Sequence, residues 1–164
     1  MNVKKIANLL INFAIKRLTE IFGIIVLISG LMLLASLATY SPNDPNFIFP
    51  ENTDIKNLLG FLGSFTSDLF FQSVGLIAYL ISITYIFTGI NIFKVKEFFL
   101  FVENTFFTVL YCIFGSLFFT YFYSDIFAFY INGNGGFVGN YFNQTFLNSI
   151  IKINENIFYY ILIL

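Results

Sequence analysis

The sequence contains four stretches of more than 20 residues without a charged residue, and three of them are almost wholly apolar. The first lies between Glu20 and Asp44, the second covers Leu69–Phe93 and the third covers Asn104–Ser124. An α-helix rises about 1.5 Å per residue, so roughly 20 apolar residues cross the ~30 Å hydrocarbon core of a bilayer. The pattern therefore predicts three membrane-spanning helices, at about residues 21–40, 69–93 and 104–123.

The fourth charge-free stretch, Ile126–Ile151, is rich in asparagine and contains four glycines. An irregular backbone cannot lie in lipid with its amides unpaired, so we expect this stretch at the membrane interface or outside. From Tyr141 onward its apolar residues recur every three to five positions, which is typical of an amphipathic helix on the membrane surface.

The sequence ends with the apolar residues Ile157–Leu164. Eight helical residues rise only about 12 Å, less than half of the hydrocarbon core. We therefore predict that the sequence is a fragment that stops inside a fourth span, begun at 157–164. The alternative is a complete protein whose hydrophobic tail packs at the interface.

Lysine and arginine predict the orientation. Six of them precede the first span or lie between the second and third spans, whereas the other two connecting segments contain one lysine each. The positive-inside rule therefore places the N-terminus and the 94–97 loop in the cytoplasm. The predicted organisation is a basic cytoplasmic leader at 1–20 and a membrane domain at 21–164, with external loops at 41–68 and 124–156.

A basic start followed by an apolar run is also the pattern of a cleaved signal peptide. Ser36, Leu37 and Ala38 have the small-residue spacing of a cleavage site. The apolar run at 21–40, however, is longer than the roughly 7–15-residue core of a secretory signal. We interpret the run as a retained span.

Composition supports a membrane protein, because only 10% of the residues are charged against about 25% in soluble domains. We expect an all-α integral membrane bundle with three full spans, a truncated fourth and short interfacial amphipathic helices, one of them around Lys56–Ser67. The net charge of −1 provides no basic field for a nucleic acid, so we expect no direct nucleic-acid contact.

The residues that usually carry chemistry are scarce. The chain has no histidine, and Cys112 is its only cysteine, so an intramolecular disulfide or a cysteine-based zinc site is excluded. No charged residue lies inside the predicted spans, which argues against a pump or proton relay. The run Gly133–Gly139 lacks the Lys-Ser/Thr of a P-loop, and we interpret it as an external turn. We expect no catalytic residue, cofactor or metal.

Small residues recur at helical spacing in the second and third spans, a pattern that lets transmembrane helices pack closely. The polar part of the pattern also motivates a competing hypothesis, a small passive channel or transporter subunit. The predicted packing residues are Gly75, Ala78, Ser82 and Gly89 in the second span and Thr108, Cys112, Ser116 and Thr120 in the third.

Three short motifs carry a resemblance to a known family. They are Ser41, Pro42, Asn43, Asp44 and Pro45 after the first span; Asn57–Ser64, which includes Gly63, followed by Asp68; and Gly135, Gly136 and Gly139 about twenty residues before the C-terminal apolar run. In this order the motifs make residues 17–164 resemble the N-terminal four-helix membrane region of the FtsK/SpoIIIE family of bacterial DNA translocases.

The resemblance implies a multi-pass domain of the bacterial inner membrane that anchors and oligomerises a translocase at the division septum. Its implied partners are the lipid bilayer, further copies of the chain and septum proteins. In the family, a linker and a hexameric ATPase that moves DNA during chromosome segregation follow this region. Since this chain lacks a P-loop, no enzymatic activity is assigned to it, and a division scaffold without a motor is a further alternative.

Overall fold

The computed structural model of the protein describes residues 3–46, 54–123, 131–147 and 160, and over these residues it is all-helical. A 3-10 turn, Gly75–Ile77, connects the second and third helices, and a π-helical turn, Asn143–Leu147, follows the last. The α-helices are α1 (Val3–Ala38), α2 (Gly60–Val74), α3 (Ala78–Val95), α4 (Phe99–Phe122) and α5 (Gly136–Phe142).

Three helical segments in the described part of the chain are long and apolar enough to cross a membrane: Ile6–Ala38, Gly60–Val95 and Phe99–Phe122. The all-α fold class with three span-capable helices is confirmed. The predicted start of a fourth span, 157–164, lies outside the described residues except for Tyr160.

Helix α1 is longer than a bilayer requires. It begins at Val3 and so includes most of the predicted leader, because no glycine or proline interrupts residues 3–22. Near its middle, the Glu20 carboxylate pairs with Arg17 and, at 2.7 Å, with the Lys96 ammonium that follows α3. The two basic segments used to predict the orientation therefore lie at the same end of the bundle.

The pair formed by α1 and α3 is the centre of the fold. Gly23 lies against Gly89, Gly30 lies against Ser82, and the end of α1 reaches the start of α3. Because residue numbers rise along α1 while they fall along α3, the two helices are antiparallel. Helix α4 in turn packs along α3.

The predicted second span, 69–93, is divided in the structure. Residues 69–74 belong to α2, and Gly75, with a φ of 67°, separates α2 from α3. Gly63 of α2 accepts a hydrogen bond from Ser36 of α1, and Phe70 of α2 and Leu33 of α1 both pack against the cluster of Ile77, Ile81 and Cys112.

Candidate functional site

Three of the four small residues predicted to pack in the second span face α1. Ala78 and Ser82 are fully buried, and the backbone of Gly89 touches that of Leu27. Gly75 lies at the helix break and faces the segment 131–136. The small residues of the second span therefore make two different contacts, one with α1 and one with the segment 131–136.

The small residues of the third span line one face of α4. Thr108, Cys112 and Ser116 are buried, and Cys112 packs with Ile77 and Ile81. These apolar contacts occupy part of the face on which the passive-channel hypothesis rests.

The last two residues of that face meet the glycine-rich segment in what we call the glycine junction: Ser116 and Thr120 of α4, Gly75, and residues 131–140. A Cβ added to Gly135 or to Gly139 would overlap both Thr120 Oγ1 and the Ser116 carbonyl oxygen. Each pair is spaced four residues apart, so one helix turn of α5 lies directly on one turn of α4. Only glycine allows so close an approach.

The glycine junction also satisfies the backbone of the broken helix. The Leu76 N–H donates to the Asn134 carbonyl at 2.9 Å, and Ser116 Oγ donates to the Val74 carbonyl at 3.0 Å. Gly136, with a φ of 64°, lies against the backbone of Gly75. Non-helical backbone at membrane depth is tolerated where protein groups pair it in this way.

Asparagine side chains hold the glycine-rich segment in place. Asn132 donates from its backbone N–H to Gln72 Oε1 at 3.2 Å and from Nδ2 to the Gln72 carbonyl at 3.1 Å. Asn140 Nδ2 donates to the Asn132 carbonyl at 2.8 Å, and Asn134 Nδ2 donates to the Tyr123 carbonyl. Sequence reasoning treated these residues as markers of a solvated turn and missed their pairing with Gln72 and Tyr123.

The other two motifs meet at the end of α1, in what we call the loop cap: residues 41–46 and 54–59. The buried Asp44 carboxylate accepts the backbone N–H groups of Lys56 at 3.1 Å and Asn57 at 2.8 Å. Asn57 Nδ2 donates to the Ser36 carbonyl at 2.9 Å, so a group left open at the helix end is paired. Asn57 begins the second family motif, but the sequence does not predict its pairing with Ser36.

The remaining motif residues surround the loop cap. Gly63 lies beside Asn57, where a Cβ would overlap the amide, and Asp68 accepts a hydrogen bond from the Tyr40 hydroxyl at 3.2 Å. Pro45 is buried, and its carbonyl accepts a hydrogen bond from Ser64 at 2.6 Å. By contrast, Pro42 and Asn43 are exposed, while Ser41 is half-buried and accepts the Asp44 N–H in a turn.

Replacing Asp44 by alanine should lower the free energy of unfolding by about 1–3 kcal/mol, because it leaves two backbone N–H groups without their acceptor. Thermal unfolding in detergent micelles measures the change. Asp54→Ala is the matched control, since Asp54 is exposed in the same loop. Equal effects of the two substitutions would contradict a structural role for the Asp44 carboxylate.

The described side chains provide packing and hydrogen bonding. Among residues 3–46, 54–123 and 131–147, no group of three or more His, Cys, Asp or Glu side chains lies together as a metal site requires. The loop cap lies at the end of α1, before α2 begins, and the glycine junction lies at the break between α2 and α3.

Comparison with known proteins gives a family match over nearly the whole chain. Residues 15–164 match the family model described as the 4TM region of DNA translocase FtsK/SpoIIIE. No solved structure matches the chain.

Curated relatives match over shorter ranges. DNA translocase FtsK of Caulobacter vibrioides is 38% identical over 42% of this chain, and that of Azospirillum brasilense is 34% identical over 43%. DNA translocase FtsK of Rickettsia bellii is 31% identical over 48%. The matches cover 8–12% of the relatives' own lengths, so the chain corresponds to a small part of these proteins.

Proposed function

The chain belongs to the 4TM region of the DNA translocases FtsK and SpoIIIE, and from that membership we propose that it anchors such a translocase in the bacterial inner membrane and assembles its copies. The observation that carries the proposal is the family match from residue 15 to the end of the chain, across all three span-capable helices. Membrane anchoring follows from these helices. The assembly of several copies of the chain is a separate part of the proposal.

The orientation with a cytoplasmic N-terminus is supported by the ion pairs at one end of the bundle. Glu20 joins Arg17 to Lys96, so the basic residues of two distant segments are on the same side. Positive charge concentrated on one side favours the cytoplasmic face. A motor that acts on DNA needs this face, and the relatives are named DNA translocases.

Assembly of copies is supported by apolar surface that the described contacts leave open. Phe106, Phe107 and Phe114 of α4 are each more than half exposed, as are Leu9 and Leu18 of α1. In a membrane, such surfaces contact lipid or another helix. We place the assembly at the division septum, where the translocase would act in chromosome segregation and cell division.

A chimaera tests the proposal. The linker and motor of a relative translocase, carrying a fluorescent reporter, are joined to this chain. The chimaera is expressed in cells whose own translocase lacks its membrane region. We expect carbonate-resistant membrane association, septal foci and several photobleaching steps per focus. The control carries the same motor on an unrelated anchor with the same number of spans, and it should be dispersed around the membrane.

The outcomes separate the parts of the proposal. Release of the chimaera by carbonate would overturn membrane anchoring. Single-step photobleaching would overturn assembly, and a dispersed signal equal to that of the control would overturn the septal role.

A further inference from the structure

We propose that the glycine junction contains a blind, water-filled inlet, in which bound water pairs two polar atoms that the protein leaves unpaired. A cavity of about 190 Å³ lies between the segment 131–135, Asn140 and Thr120 of α4. A water molecule takes up roughly 30 Å³ in the liquid, so the cavity has room for several. Its lining consists mainly of amide, hydroxyl and backbone groups.

Two buried atoms at this cavity lack a hydrogen-bond partner. Asn134 is 1% exposed, and its Nδ2 is used by the Tyr123 carbonyl, which leaves Oδ1 as an unpaired acceptor. Thr120 Oγ1 is buried and also unpaired. An unpaired buried polar group destabilises the folded chain, and a bound water that makes two to four hydrogen bonds removes this cost.

The chemistry of the lining identifies the ligand as neutral. Among the described residues that line the cavity there is no carboxylate, lysine or arginine, so none of these residues balances the charge of a bound ion. The amide oxygen of Asn134 accepts, and the Thr120 hydroxyl both donates and accepts. A small molecule that does both, and that is present wherever the protein meets the aqueous phase, is water.

The cavity has an open and a closed end. At the open end Ile131 is 77% exposed and Asn132 is half-buried. At the closed end Ser116 is fully buried and bonded to Val74, and Cys112, one turn further along α4, is packed in the apolar cluster. Water can therefore reach Thr120 but not Cys112, and this distinguishes an inlet from a pore.

Cysteine labelling tests the inlet. Thr120→Cys and Asn140→Cys, each in a Cys112→Ala background, are exposed in opened membranes to a membrane-impermeant thiol reagent. We expect both to react, as an exposed Ile131→Cys reference does, whereas native Cys112 and an outward-facing Phe114→Cys do not. Failure of both cavity positions to react, in chains that still assemble in the membrane, would overturn the proposal. Reaction of native Cys112 would replace the inlet with a through path.

A second experiment uses the sign of a stability change. Thr120→Val keeps the shape of the side chain and removes the hydroxyl. If water pairs that hydroxyl, the valine variant should melt at a lower temperature than the parent. Thr120→Ser, which keeps the hydroxyl, should melt at a higher temperature than the valine variant. If the cavity is dry, Thr120→Val removes an unpaired polar atom, so a melting temperature equal to or above that of the parent would overturn the proposal.

Discussion

Replacing Gly89 by leucine should separate α1 from α3 and lower the free energy of unfolding by about 3 kcal/mol, the upper end of the usual cost of overpacking. A Cβ at this position would overlap the Leu27 backbone nitrogen and lie 2.7 Å from the Gly23 carbonyl oxygen. Both neighbours are backbone atoms of α1, so no side-chain rotation relieves the clash. Thermal unfolding of the chain in detergent micelles measures the loss.

Asn91→Leu is the matched control for Gly89→Leu. It introduces the same side chain two residues away on the same helix, where the position is exposed. Leucine exceeds glycine in helix propensity by nearly 1 kcal/mol, so without the contact to α1 Gly89→Leu would stabilise the helix. An unchanged or raised stability of Gly89→Leu would therefore show that α1 and α3 do not touch at this point.

The α1–α3 contact is the part of the fold that sequence periodicity indicated best. Ala78, Ser82 and Gly89 recur at helical spacing, and all three face α1 in the structure. Periodicity identifies the narrow face of a straight helix because the face repeats with the helix itself. It does not identify which other helix covers the face, and this information comes from the three-dimensional arrangement.

The helix break at Gly75 could not be found in the same way. Hydropathy is continuous through residues 69–93, and one glycine inside an apolar run does not end a helix by itself. The break is stabilised by partners at a distance of about 60 residues in sequence, chiefly Asn134, whose carbonyl pairs with the Leu76 N–H. A contact of this separation has no local signal in the sequence.

The glycine-rich segment shows a further limit of sequence reasoning. Glycine and asparagine together predict a turn, and Gly133 and Gly136 do have positive φ values, 68° and 64°. The same composition also suits a segment that lies closely on another helix, which is what Gly135 and Gly139 do against α4. The two uses differ only in what lies opposite each glycine.

Alanine substitutions at four glycines should separate backbone strain from close contact in the glycine junction. Gly60, Gly75, Gly133 and Gly136 have similar φ values, between 64° and 68°. An alanine in the left-handed helical region costs about 1–2 kcal/mol. Gly75, whose ψ of −142° lies outside that region, should have a larger backbone cost, because such a conformation is essentially confined to glycine. Gly60 and Gly133 have no atom within 4 Å of an added Cβ, so their variants should lose only this amount.

The other two variants should lose about 1–3 kcal/mol more, because the added methyl group meets backbone. A Cβ on Gly75 would overlap the Asn134 carbonyl, and one on Gly136 would lie 2.6 Å from the Gly75 nitrogen. Since the two residues touch each other, Gly75→Ala combined with Gly136→Ala should cost less than the sum of the single losses. Equal losses at all four positions, measured by thermal unfolding, would show that the segment is not docked on the helix break. A strictly additive double variant would show that Gly75 and Gly136 act independently.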